Sequence, residues 1–168
     1  MTRFARLALY LALIPPCCAT ALADSEPYMS LEFADAPAQF QPVPRRAGMT
    51  RFSMLDAISF EGAAGPTRLV VEIGLPPRAP LDATPVDATP VDARVTYRPD
   101  GFTDYWQTIG MPRAGEFTFT QLDLSGPRPQ IAAEFRVTLC QRASVMVLAN
   151  TEACRQDVGT FATQLQID

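Results

Sequence analysis

The stretch QIAAEFRVTLCQ, residues 130–141, decides the fold. Apolar residues occupy every second position from Ile131 to Leu139, and polar residues such as Glu134 and Arg136 fall between them. This period of two residues is typical of a β-strand with one buried face and one solvated face. The stretch therefore predicts one long strand.

The same alternation recurs in TRLVVEIGL (67–75), GEFTFTQLDLSG (115–126) and GTFATQLQI (159–167). In the second of these the phase slips between Phe119 and Leu122, which predicts a β-bulge. Further strands are predicted at 28–33, 51–60, 93–98, 105–110 and 144–149. For 51–60 a helical turn is the alternative, because Phe52, Leu55 and Ile58 recur every three residues. Short strands separated by Gly- and Pro-containing turns indicate an all-β protein, a single antiparallel β-sandwich with a barrel as the alternative.

Two stretches do not have the pattern of regular structure. In residues 34–49, Pro37, Pro42 and Pro44 argue against a central strand and favour an exposed crossing. The second is a Pro-rich loop at about 76–92, in which ATPVD occurs twice in succession.

The repeat period of five residues matches neither a strand nor a helix, so we interpret it as a duplicated loop insertion. Doubling the length of a loop costs only about 0.6 kcal/mol in closure entropy. The repeat carries Asp82, Asp87 and Asp92, but it lacks the close ligand spacing and the glycine of a calcium loop.

Residues 1–23 have the organisation of a secretory signal peptide. Arg3 and Arg6 precede an apolar run over 7–14, and small residues at Ala21 and Ala23 mark a cleavage site. The apolar run is shorter than the roughly 20 residues that span a bilayer. We therefore expect one domain over residues 24–168, located in the periplasm or secreted, with no transmembrane segment after cleavage.

Two of the four cysteines, Cys17 and Cys18, would leave with this leader. The remaining pair, Cys140 and Cys154, predicts one disulfide, as expected in an exported protein. Closing a loop of about 15 residues is worth roughly 3 kcal/mol on the chain-entropy model.

The composition excludes several functions. The chain has no histidine and its formal net charge is −4, which argues against His-containing catalytic triads, His-ligated zinc and nucleic acid. No metal site or cofactor is predicted, and we expect a protein that is not an enzyme. Carboxylate catalysis by Glu72 or Glu134 stays open as an alternative, although both residues fall on the polar phase of their strands.

The best candidate for a binding site is YRPDGFTDYWQTIG, residues 97–110. Aromatic side chains beside a turn can stack on sugars or anchor a protein partner. Adjacent residues of a strand point to opposite faces, so one of Tyr105 and Trp106 should be buried. The predicted binding residues are Tyr97, Arg98, Phe102, Tyr105 and Trp106.

The runs EFRVTLC (134–140) and GTFATQL (159–165) resemble small exported bacterial β domains in a general way, a resemblance that implies no activity. The sequence favours a non-catalytic exported domain that binds an envelope protein or a carbohydrate through the 97–106 region. One alternative is a barrel that carries a lipid-like ligand. The other is a carboxylate-dependent enzyme acting on glycans.

Overall fold

The computed structural model describes residues 26–34, 36–76, 89–100, 105–113, 115–125, 127–144 and 146–167. The predicted leader and most of the Pro-rich loop lie outside these residues. Strands dominate the described part, as the sequence predicts, and the only other element there is a 3-10 turn at Pro44–Arg46. The strands are β1 (Tyr28–Phe33), β2 (Ala36–Pro42), β3 (Gly48–Arg51), β4 (Asp56–Ala64), β5 (Thr67–Leu75), β6 (Asp92–Arg98), β7 (Tyr105–Thr108), β8 (Phe117–Asp123), β9 (Gln130–Arg142), β10 (Asn150–Gln164) and β11 (Gln166–Ile167).

These strands close into an antiparallel barrel of eight with extra strands. Most strands pair with the strand that follows them in the chain, and β10 pairs with β1 to close the barrel. In two places a pair of short strands takes the position of one strand in the wall. β2 and β3 pair with different halves of β4, and β7 and β8 pair with different halves of β9. The short β11 adds a parallel pairing with β3. The all-β antiparallel prediction is thus confirmed, in the closed form that the sequence left as its alternative.

The apolar phase of each strand fills the barrel. Phe161 lies at the centre, with ring centroids 4.5 Å from Phe60 and 6.2 Å from Phe135. Gly159 sits on the same inner face, where a Cβ atom would collide with the ring of Phe135 and lie 2.6 Å from the carbonyl oxygen of Ser30. An eight-stranded barrel is just wide enough to be filled by its own side chains, and here aromatic rings fill it.

Residues 34–49 contain β2 and the first two residues of β3, so the prediction that this stretch lacks regular structure is wrong. Over residues 36–40, β2 pairs with β1, whereas its pairing with β4 is confined to Gln41 and Pro42. Pro37 is therefore tolerated because β2 has a hydrogen-bonded neighbour on one side only at that point. Pro44 begins the 3-10 turn that separates β2 from β3.

Two other segments differ from their predictions. Residues 51–60 form the end of β3 and the start of β4 around a turn, in which the Phe52 amide donates to the Leu55 carbonyl at 2.9 Å. The described residues of 144–149 form a turn as well, where the Val147 amide donates to the Ser144 carbonyl at 3.2 Å. Local hydrogen bonds take the place of strand pairing in both.

The bulge and the disulfide are confirmed. The pairing of β8 with β9 shifts register between Phe119 and Gln121. Cys140 and Cys154 face one another across β9 and β10 and are joined by a disulfide, with their Cα atoms 4.0 Å apart. The register between β9 and β10 shifts between Asn150 and Cys154, and the disulfide ties the two strands together at the end of this irregular stretch.

Candidate functional site

Three aromatic side chains meet inside one end of the barrel, which we call the aromatic end. It lies where β1 and β6 finish and β7 begins. The ring of Phe33 is 4.3 Å from that of Tyr97 and 5.3 Å from that of Trp106, measured between centroids. All three side chains are half-buried and pack against the core. The rings thus form an apolar wall that is still partly open to solvent.

An ion pair lies among these rings. Asp157, on the inner face of β10, is only 1% exposed, and its Oδ1 accepts a hydrogen bond of 2.8 Å from Nε of Arg155. The guanidinium carbon of Arg155 lies 4.5 Å from the ring centroid of Phe33. Oδ2 of Asp157 is buried and has no hydrogen-bond partner within the described part of the chain. A buried carboxylate oxygen without a donor is costly, by about 1–3 kcal/mol, and a donor that reached it between the half-buried rings would remove that cost.

Tyr97 completes the polar part of the aromatic end. Burial, and secondly the negative charge of Asp157, raise the pKa of its phenol above the ordinary value of 10.0. The hydroxyl therefore remains protonated at neutral and mildly alkaline pH and can both donate and accept a hydrogen bond. The aromatic end thus offers stacking surfaces together with a carboxylate, a guanidinium and a phenol.

The residues predicted from sequence divide between the two faces of the barrel wall. Tyr97 and Trp106 point inward and belong to the aromatic end. Arg98 and Tyr105 lie on the outer face of the same strands, and Phe102 lies outside the described residues. Tyr105 is the buried member of its pair, at 5% exposure, and is covered on the outside of the barrel rather than in its core.

Sequence reasoning missed Phe33, Arg155 and Asp157. The signal for the last two was present in the run CRQDVGTF, residues 154–161. Extending the two-residue alternation backward from Phe161 through Gly159 places both Asp157 and Arg155 on the inner face. We expected the strand to begin at Gly159, whereas β10 begins nine residues earlier, at Asn150.

The two candidate catalytic carboxylates lie elsewhere. Glu72 is exposed on β5, where its Oε2 is 3.8 Å from Nη1 of Arg94, beside a shallow cavity of about 200 Å³. Glu134 is exposed on the outer face of β9, opposite Thr118 and Thr160. The strands β6 and β7 separate β5 from β9, so the two carboxylates do not form a pair.

Among the residues that the structure describes, no three His, Cys, Asp or Glu side chains are grouped so that they could hold a metal ion. The same residues form no helix with the length and hydropathy that crossing a membrane requires.

Comparisons with protein families, with curated proteins and with solved structures found no match to this chain.

Proposed function

We propose that this protein is an exported, non-catalytic barrel domain that binds an envelope protein or a carbohydrate at the aromatic end. The observation that carries the proposal is the buried, unpartnered Oδ2 of Asp157 among three half-exposed aromatic rings. Aromatic faces offer contact area at low entropic cost, and both sugars and protein side chains stack on them. Asp157 and Arg155 would add an acceptor and a donor for the ligand's polar groups.

The contacts favour this function over the two alternatives. A carrier needs interior space for its ligand, whereas the described interior is filled by buried rings such as Phe60, Phe135 and Phe161. A carboxylate-dependent glycosidase needs two carboxyl groups within about 10 Å of one another. Glu72 and Glu134 lie on strands that are not neighbours.

The chain contains a single tryptophan, Trp106, so all tryptophan emission reports on the aromatic end. We would capture partners from an envelope extract, identify them by mass spectrometry, and titrate each purified partner into the intact protein. A ligand of the aromatic end should change the Trp106 emission saturably. A partner that binds with no change in emission would contradict the proposed site.

Arg155→Gln and Trp106→Ala should each weaken capture about tenfold, the loss of one good contact at 1.4 kcal/mol. Tyr28→Ala is the matched control, because Tyr28 is an exposed aromatic residue at the start of β1, away from the aromatic end. Circular dichroism of each variant checks the fold, and Arg155→Gln leaves all three rings in place if Trp106→Ala fails to fold. Equal capture by folded Arg155→Gln and the wild type would overturn the proposal.

A further inference from the structure

A row of cationic and aromatic side chains crosses four strands on the outer face of the aromatic end. Arg98 on β6 lies opposite Arg68 on β5. Its guanidinium carbon is 5.7 Å from the ring centroid of Tyr105 on β7, and Tyr105 lies opposite Arg142 on β9. The guanidinium carbon of Arg142 is 5.9 Å from the same ring. We call these four residues the arginine row.

This arrangement is electrostatically unfavourable without an anion. Directly opposite like charges destabilise a sheet, and Arg68 and Arg98 are such a pair. The charge of Arg68 is compensated by Glu61, whose Oε1 lies 3.2 Å from Nε of Arg68. None of the described residues forms a salt bridge to Arg98, and the buried Nε of Arg98 has no hydrogen-bond partner among them. The row therefore concentrates positive charge on a protein whose overall balance is acidic, with a pI of about 4.8. An oxyanion bound at the half-buried guanidinium of Arg98 would balance this charge.

An apolar tip adjoins the row. In the turn between β9 and β10, Met146 is 91% exposed, Val147 50% and Leu148 87%. The guanidinium of Arg142 donates from Nε and NH2 to the Val147 carbonyl at 3.0 and 2.9 Å, which holds this apolar tip against the row. Exposed apolar side chains are costly in water, and they lie here beside the arginine row.

We propose that the arginine row and the apolar tip form a docking surface for an anionic phospholipid bilayer. Guanidinium groups bind lipid phosphates, while apolar side chains beside them enter the acyl boundary. A soluble anion would use the arginines but would leave Met146 and Leu148 in water, which is why the combination points to a lipid surface. The inference is independent of a ligand inside the aromatic end and goes beyond it.

The test is co-sedimentation of residues 24–168, the chain expected after removal of the leader, with vesicles of phosphatidylcholine, with and without phosphatidylglycerol. Wild-type protein should bind only the anionic vesicles, and added salt should weaken that binding. Arg98→Gln should lower the affinity about fivefold, as expected for one basic residue near an anionic surface, while Arg98→Lys keeps most of it. The double variant Arg45→Gln/Arg46→Gln removes two exposed arginines from the 3-10 turn in another part of the wall and should bind as the wild type does.

The apolar contribution is tested separately with Met146→Ser/Leu148→Ser. This variant should lose most of its vesicle binding, whereas Met54→Ser, which alters an 80% exposed methionine in the turn between β3 and β4, should not. Equal vesicle affinity of Arg98→Gln and the wild type would overturn the proposal. So would binding of inorganic phosphate, measured by calorimetry, in a protein that ignores anionic vesicles.

Discussion

Tyr97 gives the barrel a sensitivity to alkaline pH. Its folded-state pKa lies above 10.0, because burial and the charge of Asp157 disfavour the phenolate. Between pH 10 and that raised value the folded chain binds more protons at this site than the unfolded chain does. The free energy of unfolding must therefore fall as pH rises through this window, and the stabilisation is fully present below pH 10.

We predict that Tyr97→Phe reduces the loss in free energy of unfolding at alkaline pH. Urea denaturation between pH 9 and pH 11 measures it, with Tyr28→Phe as the control at an exposed tyrosine. The wild type and the control should lose stability in parallel above pH 10, whereas Tyr97→Phe should lose less. An identical slope in all three proteins would mean that Tyr97 titrates as it does in the unfolded chain.

The pairing of β9 with β10 is reinforced by the Cys140–Cys154 disulfide across 14 positions of sequence. Replacing both cysteines with alanine should lower the free energy of unfolding by about 3 kcal/mol, because the unfolded chain regains the entropy of an open loop. Guanidinium denaturation of the variant, beside the wild type with and without reductant, measures this loss. A variant as stable as the oxidised wild type would show that strand pairing alone fixes this end of β10.

Strands such as β5 and β9 could be predicted to within one residue at each end because a buried apolar residue occupies every second position, over 69–75 in β5 and over 131–139 in β9. The prolines of β2 led to a wrong prediction, since a proline excludes a strand only where both edges of that strand are hydrogen-bonded. The alternation of apolar residues also failed to predict the first part of β10, because the inner face there changes from Phe161 to the charged Asp157 and Arg155. A polar inner face at a barrel end breaks the apolar pattern that identifies a strand.

Two of the five residues of the aromatic end, Tyr97 and Trp106, followed from the sequence for a related reason. The cluster of Tyr97, Arg98, Tyr105 and Trp106 is contiguous enough to be visible, and the opposite orientation of Tyr105 and Trp106 follows from the pleat. Phe33 contacts Tyr97 and Trp106 only because the barrel closes through the pairing of β1 with β10. Closure depends on pairing between distant segments, which no local pattern encodes.

The barrel should tolerate removal of one ATPVD copy. Deleting 83–87 or 88–92 gives the same chain, so Val86 and Asp87 would occupy the places of Val91 and Asp92, where the Val91 amide donates to the Gly74 carbonyl at 2.8 Å. We predict a melting temperature within about 2 °C of the wild type, because loop shortening changes closure entropy by well under 1 kcal/mol. Differential scanning calorimetry measures it. A large decrease would mean that the second copy packs on the barrel wall.

The pairing of β1 with β10, which seals the barrel, joins residues that are synthesised at very different times. Ser30 and Thr160, whose hydroxyl oxygens lie 2.8 Å apart across this seal, are separated by 130 positions in the chain. During synthesis β1 therefore has an unpaired edge until nearly all of the described strands exist, and such an edge is prone to pair with other chains. Closure of the wall therefore cannot precede the synthesis of β10.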